Sequence, residues 1–226
     1  QRLDSLVRSG LHSITVSLDG FEEHHYHIRQ HKDSFARAVE AVRMISADRE
    51  LASDVVTCVT PALLPHIERF KEFLYSLGVR KWRLFTIFPV GRAATDATLQ
   101  LNDEEFTYLM QFIEATRKEG RIMASYGCEG FLGGYEMRVR TNPFECYAGV
   151  GIASIRVNGD ISGCTSVRAN FTQGTSIRIT SGMYGKTASR GSATVLGRRG
   201  ASAPTARCGS IARVMVCTYT TTMRTY

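Results

Sequence analysis

Short apolar runs alternate with helical stretches over the first 125 residues, at a spacing that leaves few folds open. Ile14–Leu18 (ITVSL), Asp54–Val59 (DVVTCV) and Trp82–Phe88 (WRLFTIF) read as strands, and Arg121–Ser125 as a fourth. Leu3–Ser9 is a helix end closed by Gly10. Ser34 is the expected N-cap of a helix from Phe35 to Asp48 that carries Phe35, Val39, Val42, Met44 and Ile45 on one face. Pro65–Leu77 is helical up to Gly78, and Asn102 caps a helix from Asp103 to Lys118 that Gly120 ends. Repeated βα units predict an α/β fold with a parallel sheet. Ligands of such sheets lie beyond the C-terminal strand ends. Ser17-Leu-Asp-Gly20, the segment after Val59, and Pro89-Val-Gly91-Arg92 are expected there.

A different pattern follows. Cys146 and Cys164 flank Gly159, and Ile152–Gly163 (IASIRVNGDISG) reads as a β-hairpin turning on Asn158-Gly159. Thiolates are the usual ligands of iron–sulfur clusters, and a hairpin between two of them brings both toward one site; a disulfide or a pair of buried thiols is the alternative. The six cysteines lie at 58, 128, 146, 164, 208 and 217, too sparse for a disulfide scaffold. Metal ligation in a reducing, cytoplasmic compartment is the expectation. No run approaches the roughly 20 apolar residues of a membrane span, and no secretory leader is visible, although the sequence begins with Gln1.

The net charge of +7 is unevenly placed. Of 28 Lys and Arg, eight lie between Thr175 and Tyr226 with no Asp or Glu among them, so residues 1–174 hold 20 bases against 21 acids. The first three-quarters therefore carry no basic surplus for nucleic acid; no nucleic-acid and no membrane partner is expected.

Three stretches, in this order, resemble the radical S-adenosylmethionine (SAM) enzymes with a C-terminal SPASM domain, which carries auxiliary iron–sulfur clusters. Val16-Ser-Leu-Asp-Gly20 with Arg29 and the Ser34-Phe35 helix start is similar to the barrel's fourth strand and its sequel. Phe88-Pro-Val-Gly-Arg-Ala93 resembles the loop after its last strands. Phe144-Glu-Cys-Tyr-Ala-Gly149 with Val157-Asn-Gly-Asp-Ile161 and Cys164 resembles the SPASM opening. The resemblance implies the C-terminal part of a partial (β/α)6 barrel over residues 1–125 and the start of a SPASM domain over 126–174. It implies reductive cleavage of SAM to a 5′-deoxyadenosyl radical that modifies a peptide or protein, with flavodoxin or ferredoxin as electron donor. Its cofactors are a 4Fe–4S SAM cluster, an auxiliary iron–sulfur cluster and SAM. By position, Ser17 and Asp19 fall near the ribose or methionine part of SAM, Arg29 opposite its carboxylate, Gly91 beside the adenosine, and Cys146 and Cys164 on the auxiliary cluster.

Two departures accompany the likeness. The family's Cys-x3-Cys-x2-Cys motif is absent, so the chain reads as an inactive fragment that begins after it, and the later SPASM cysteines are out of place. Residues 175–226 lack any periodicity that would bury a face. Read one base out of frame, allowed codons put cysteine at Ala203, Ala206 and Ala212, which is the Cys-x2-Cys-x5-Cys spacing required next. The tail is thus expected to be non-native, with Cys208 and Cys217 not ligands; a native, disordered basic tail is the other possibility. The competing function is a non-catalytic α/β binding module whose tail contacts nucleic acid or an anionic surface, with an aldolase-type barrel as a third reading.

Other residues receive plainer readings. His24, His25, His27 and His31 are expected in a solvated loop or helix end, with His27 and His31 a metal pair only if helical. Cys58 packs as a small hydrophobe, Cys128 is a loop thiol, and Glu129, Glu136 and Arg138 form a solvated face. Trp82, Phe85 and Phe88 belong to the core.

Overall fold

A computed structural model describes residues 2–89, 91–127, 130–146, 148, 153–156, 158–164, 172 and 174–175. The chain divides into two compact units, residues 1–129 with 133–142, and residues 130–132 with 143–226.

The first unit is built on a four-stranded, all-parallel sheet: β1 (Ser13–Ser17), β2 (Ala52–Cys58), β3 (Lys81–Phe85) and β4 (Met123–Tyr126), in that spatial order. Helix α1 (Arg2–Arg8) precedes β1. Helices α2 (Glu22–Arg29) and α3 (Ser34–Ala47) connect β1 to β2, α4 (Ile67–Ser76) connects β2 to β3, and α5 (Asp103–Glu119) connects β3 to β4. This is the α/β arrangement of successive parallel βα units that the periodicity predicts. A short α6 (Glu136–Val139) follows β4.

Register explains the core. Val16, Val55, Trp82 and Ala124 are aligned across the four strands, and Thr57, Leu84 and Tyr126 form the next such row. Every one of these except Val16 is buried. Trp82 makes edge contacts with Phe70 of α4 and Phe112 of α5, so this is the face the helices cover. Its indole N–H donates to Thr57 Oγ1, whose hydroxyl donates to the Leu18 carbonyl, satisfying the polar atoms taken inside.

Several boundaries differ from expectation. β3 stops at Phe85, and Thr86-Ile-Phe88 is loop. α3 is capped at Asp33; the Ser34 hydroxyl instead donates to the His31 carbonyl, and Met44 is exposed. The Asn102 cap is as expected and completes a reciprocal capping box with Glu105. The stretch expected to be a solvated histidine loop is α2, with His24 and His25 buried.

In the second unit β5 (Ser154–Ile155), β6 (Asp160–Ser162) and β7 (Gly174–Thr175) form an antiparallel sheet. The hairpin is present, but Arg156 accepts from the Gly159 N–H and donates to the Asp160 carbonyl. Three residues therefore make the loop, with Gly159 at φ +85° serving as its left-handed position, rather than Asn158-Gly159 alone. The readings on Cys128, Glu129 and the tail from residue 176 onward lie outside the described residues. No described helix is long and apolar enough to cross a membrane.

Candidate functional site

The C-terminal end of the parallel sheet gathers charged groups that the sequence scatters over 80 residues. β1 runs into Leu18, Asp19 and Gly20, all buried. Gly20 has φ +115°, and a Cβ there would lie 2.8 Å from Leu63 and 2.9 Å from His24. Only glycine fits the turn from β1 into α2.

That turn aims Asp19 back at β2. Its carboxylate is fully buried: Oδ1 accepts from the Cys58 N–H at 2.9 Å and Oδ2 from Arg29 Nε at 2.6 Å. Its own N–H donates to His25 Nδ1 at 3.0 Å, which fixes that nitrogen as an acceptor. Burial would raise the Asp19 carboxyl. The bond from Arg29, its charge and the Cys58 N–H outweigh that and hold it below the usual value. Burial lowers the Arg29 guanidinium, and Asp19, bonded to it and opposite in charge, more than reverses this.

Arg29 is thus an anchored cation. Nε bonds Asp19, the side chain is 37% exposed, and Nη1 and Nη2 make no hydrogen bond among the described residues. The loop after β3 reaches the same helix end, where Arg92 Nη2 donates to the Ile28 carbonyl at 3.1 Å. Gly91, next to it, has φ +62° and opens a 3₁₀ turn to Ala94. Ser17 is half-buried at the end of β1. The structure places Ser17, Asp19 and Arg29 around the end of β1, and Arg92 ties the Gly91 loop to them. Cys146 and Cys164 are half-buried thiols of the second unit.

Two expectations need correction, those on His24 and His25 and on Glu136; the exposed His27 and His31 lie at a helix end as expected. His24 and His25 are interior residues, His24 Nε2 lying 3.2 Å from the Ala62 carbonyl. His27 and His31 do not share a helical face, because Gln30 at φ +56° ends α2 between them, and no group of three or more His, Cys, Asp or Glu able to hold a metal occurs among the described residues. Glu136 is no solvated face: it is buried against Arg140, whose Nη1 donates to both carboxylate oxygens at 2.8–2.9 Å and whose Nη2 donates to the Gly127 carbonyl at 2.6 Å. Arg138 pairs with Glu114.

Sequence reasoning missed the other face of the sheet. Ser17, Val56, Arg83 and Ser125 are aligned on it, with Thr15 beside Asp54 one row below and Cys58 beside Phe85 one row above. Arg83 bonds Asp54 through Nε and Thr15 Oγ1 through Nη2, and Thr15 donates to Asp54 at 2.5 Å. Phe85, expected in the core, belongs to this face, and Phe88 is exposed. The signal was available: charges at alternate strand positions in a sheet whose other face is helix-covered mark a polar second face.

No family model and no curated protein sequence matches the chain. Among solved structures, the chain is similar to a crystal structure of Streptococcus suis SuiB bound to S-adenosylmethionine, with a TM-score of 0.51 and 12% identity. The match covers 90% of this chain and 48% of SuiB, so the chain spans about half the length of that protein. At that identity the likeness is one of fold: an α/β architecture of parallel βα units, consistent with a partial barrel.

Proposed function

We propose that the first unit is the SAM-binding part of a radical SAM type enzyme that modifies a peptide or protein, with the cofactor at the C-terminal end of the sheet. The observation that carries this reading is Arg29. It is a guanidinium pinned at Nε by a buried carboxylate, with both Nη groups left over, at the strand end where α/β folds bind ligands. Such an edge suits a carboxylate such as the amino-acid end of SAM. The similarity in fold to SAM-bound SuiB supports it.

The residues fit SAM in a specific way. Arg29 would hold the carboxylate and Ser17 and the Gly91 backbone the remainder, while Asp19 has no oxygen to spare and acts by orienting Arg29. When bound, SAM would supply a sulfonium whose C–S bond, on taking up one electron from a low-potential one-electron reductant, splits to methionine and an adenosyl radical. The chain's own part is to orient the amino-acid end and to keep Arg29 from swinging into water. Iron–sulfur clusters do not fit the residues described. Cys146 and Cys164 offer two thiols where a cluster takes a full thiolate set, and no third ligand accompanies them among the described residues.

Equilibrium dialysis against radiolabelled SAM tests the reading. Saturable binding that weakens about tenfold in Arg29→Gln is expected, since a charge-assisted pair contributes about 1.5 kcal/mol or more. Binding unchanged by that substitution, or none in the native protein, contradicts it.

A further inference from the structure

The face of the sheet opposite α3, α4 and α5 is polar. Its strand positions are Ser13, Thr15 and Ser17 of β1, Ala52, Asp54, Val56 and Cys58 of β2, Lys81, Arg83 and Phe85 of β3, and Met123 and Ser125 of β4. A parallel sheet covered by protein on both faces reads as nearly continuous apolar strands. This one alternates, so its second face sets polar and charged side chains among Ala52, Val56, Cys58, Phe85 and Met123. Two bases, Lys81 and Arg83, stand there against a single acid, Asp54.

Arg83 is built for recognition. Nε is committed to Asp54 and Nη2 to Thr15, so the guanidinium plane is fixed, while Nη1 makes no hydrogen bond among the described residues. Its side chain is 43% exposed and that of Asp54 is 16% exposed. Lys81 is exposed and makes no ion pair among the described residues. Arg83 is aligned across the sheet with Ser17, a residue of the proposed SAM end. A brace between β1, β2 and β3 needs only the two bonds already made; the third nitrogen is surplus to it.

We propose that this face takes a peptide segment and that Arg83 reads a carboxylate side chain, Asp or Glu, on it. The proposal rests on the peptide-modifying reading above and names the substrate feature that the site selects.

The test uses the full chain and two labelled, N-acetylated, C-amidated peptides, Gly-Ser-Gly-Glu-Gly-Ser-Gly and its Gln counterpart, followed by fluorescence anisotropy at low salt. The native protein is expected to prefer the Glu peptide about tenfold. Arg83→Gln should erase the preference, and Arg83→Lys, which keeps the charge but not the fork, should leave part of it. Asp54→Asn removes a brace but keeps the reader, and should retain or strengthen the preference, which a purely structural role for Arg83 would not produce. Equal binding of the two peptides by the native protein overturns the proposal whether or not any variant folds. So does a preference that survives Arg83→Gln, or competition by glutarate as strong as that of the Glu peptide, which would make the occupant a free acid. SAM dialysis on the same preparation separates the two readings: SAM binding without Glu preference sinks the role of Arg83 alone, and Glu preference without SAM binding sinks the cofactor reading alone.

Discussion

Asp19 shows how one carboxylate organises the candidate site. It joins β1 to β2 through the Cys58 N–H and to α2 through Arg29. Because its folded value lies below the ordinary one, its ionised form stabilises the fold. That contribution is complete above the ordinary carboxylate value of 3.8 and is lost as pH falls through the lowered one. Asp19→Asn should lower stability by about 2 kcal/mol at neutral pH, a partly exposed partner reducing the full cost of breaking a buried pair. Urea melts should also show the gap between variant and native protein narrowing below pH 4. A gap independent of pH would mean that the carboxylate's charge is irrelevant. The βα periodicity put Asp19 beyond the C-terminal end of β1, while Arg29 was named only by the family resemblance. It could not show that they bind each other, because a helical turn of polar residues separates them and pairing depends on how α2 leaves the strand.

At the scale of elements, α2 is the instructive case. Glu-Glu-His-His-Tyr-His-Ile-Arg carries almost no apolar stripe, so periodicity reads it as solvated. It forms because Gly20 turns the chain and because two histidines, not aliphatics, fill the interior side. Gly20→Ala should cost about 1–3 kcal/mol, combining strain at positive φ with contact against Leu63, measured as a drop in the thermal midpoint; an unchanged midpoint would show that the turn is not constrained. α5, by contrast, was legible at its start: the sequence offers Asn102 as its cap, and the structure adds the reciprocal bond to Glu105 that completes a capping box. Asn102→Ala should cost about 1 kcal/mol in chemical denaturation without altering ligand binding. The hairpin shows the limit of dipeptide signals. Asn158-Gly159 marked the turn, yet the hydrogen bonds to Arg156 enlarge the loop by one residue, which only register reveals.

For the first unit as a whole, stability comes from the helix-covered face and from polar ties at the strand ends. The buried Glu136–Arg140 pair closes the end of β4 through the Gly127 carbonyl. Glu136→Gln would remove the charge that Arg140 Nη1 meets through two bonds and should cost about 3 kcal/mol in urea denaturation; a loss within error of zero would mean the pair is dispensable. The order of strands and helices was readable because burial on one face imposes a period. The second face was not recognised, because the single charge in a strand such as DVVTCV is outweighed by its apolar residues unless the alternate positions of neighbouring strands are read together. The same architecture makes the central claim a narrow one: an anchored Arg29 at the C-terminal strand ends recognises the carboxylate of SAM. Comparing SAM with decarboxylated SAM by equilibrium dialysis measures that directly. The native protein should bind SAM about tenfold more tightly, and Arg29→Gln should bind the two alike; equal affinities in the native protein would contradict the account.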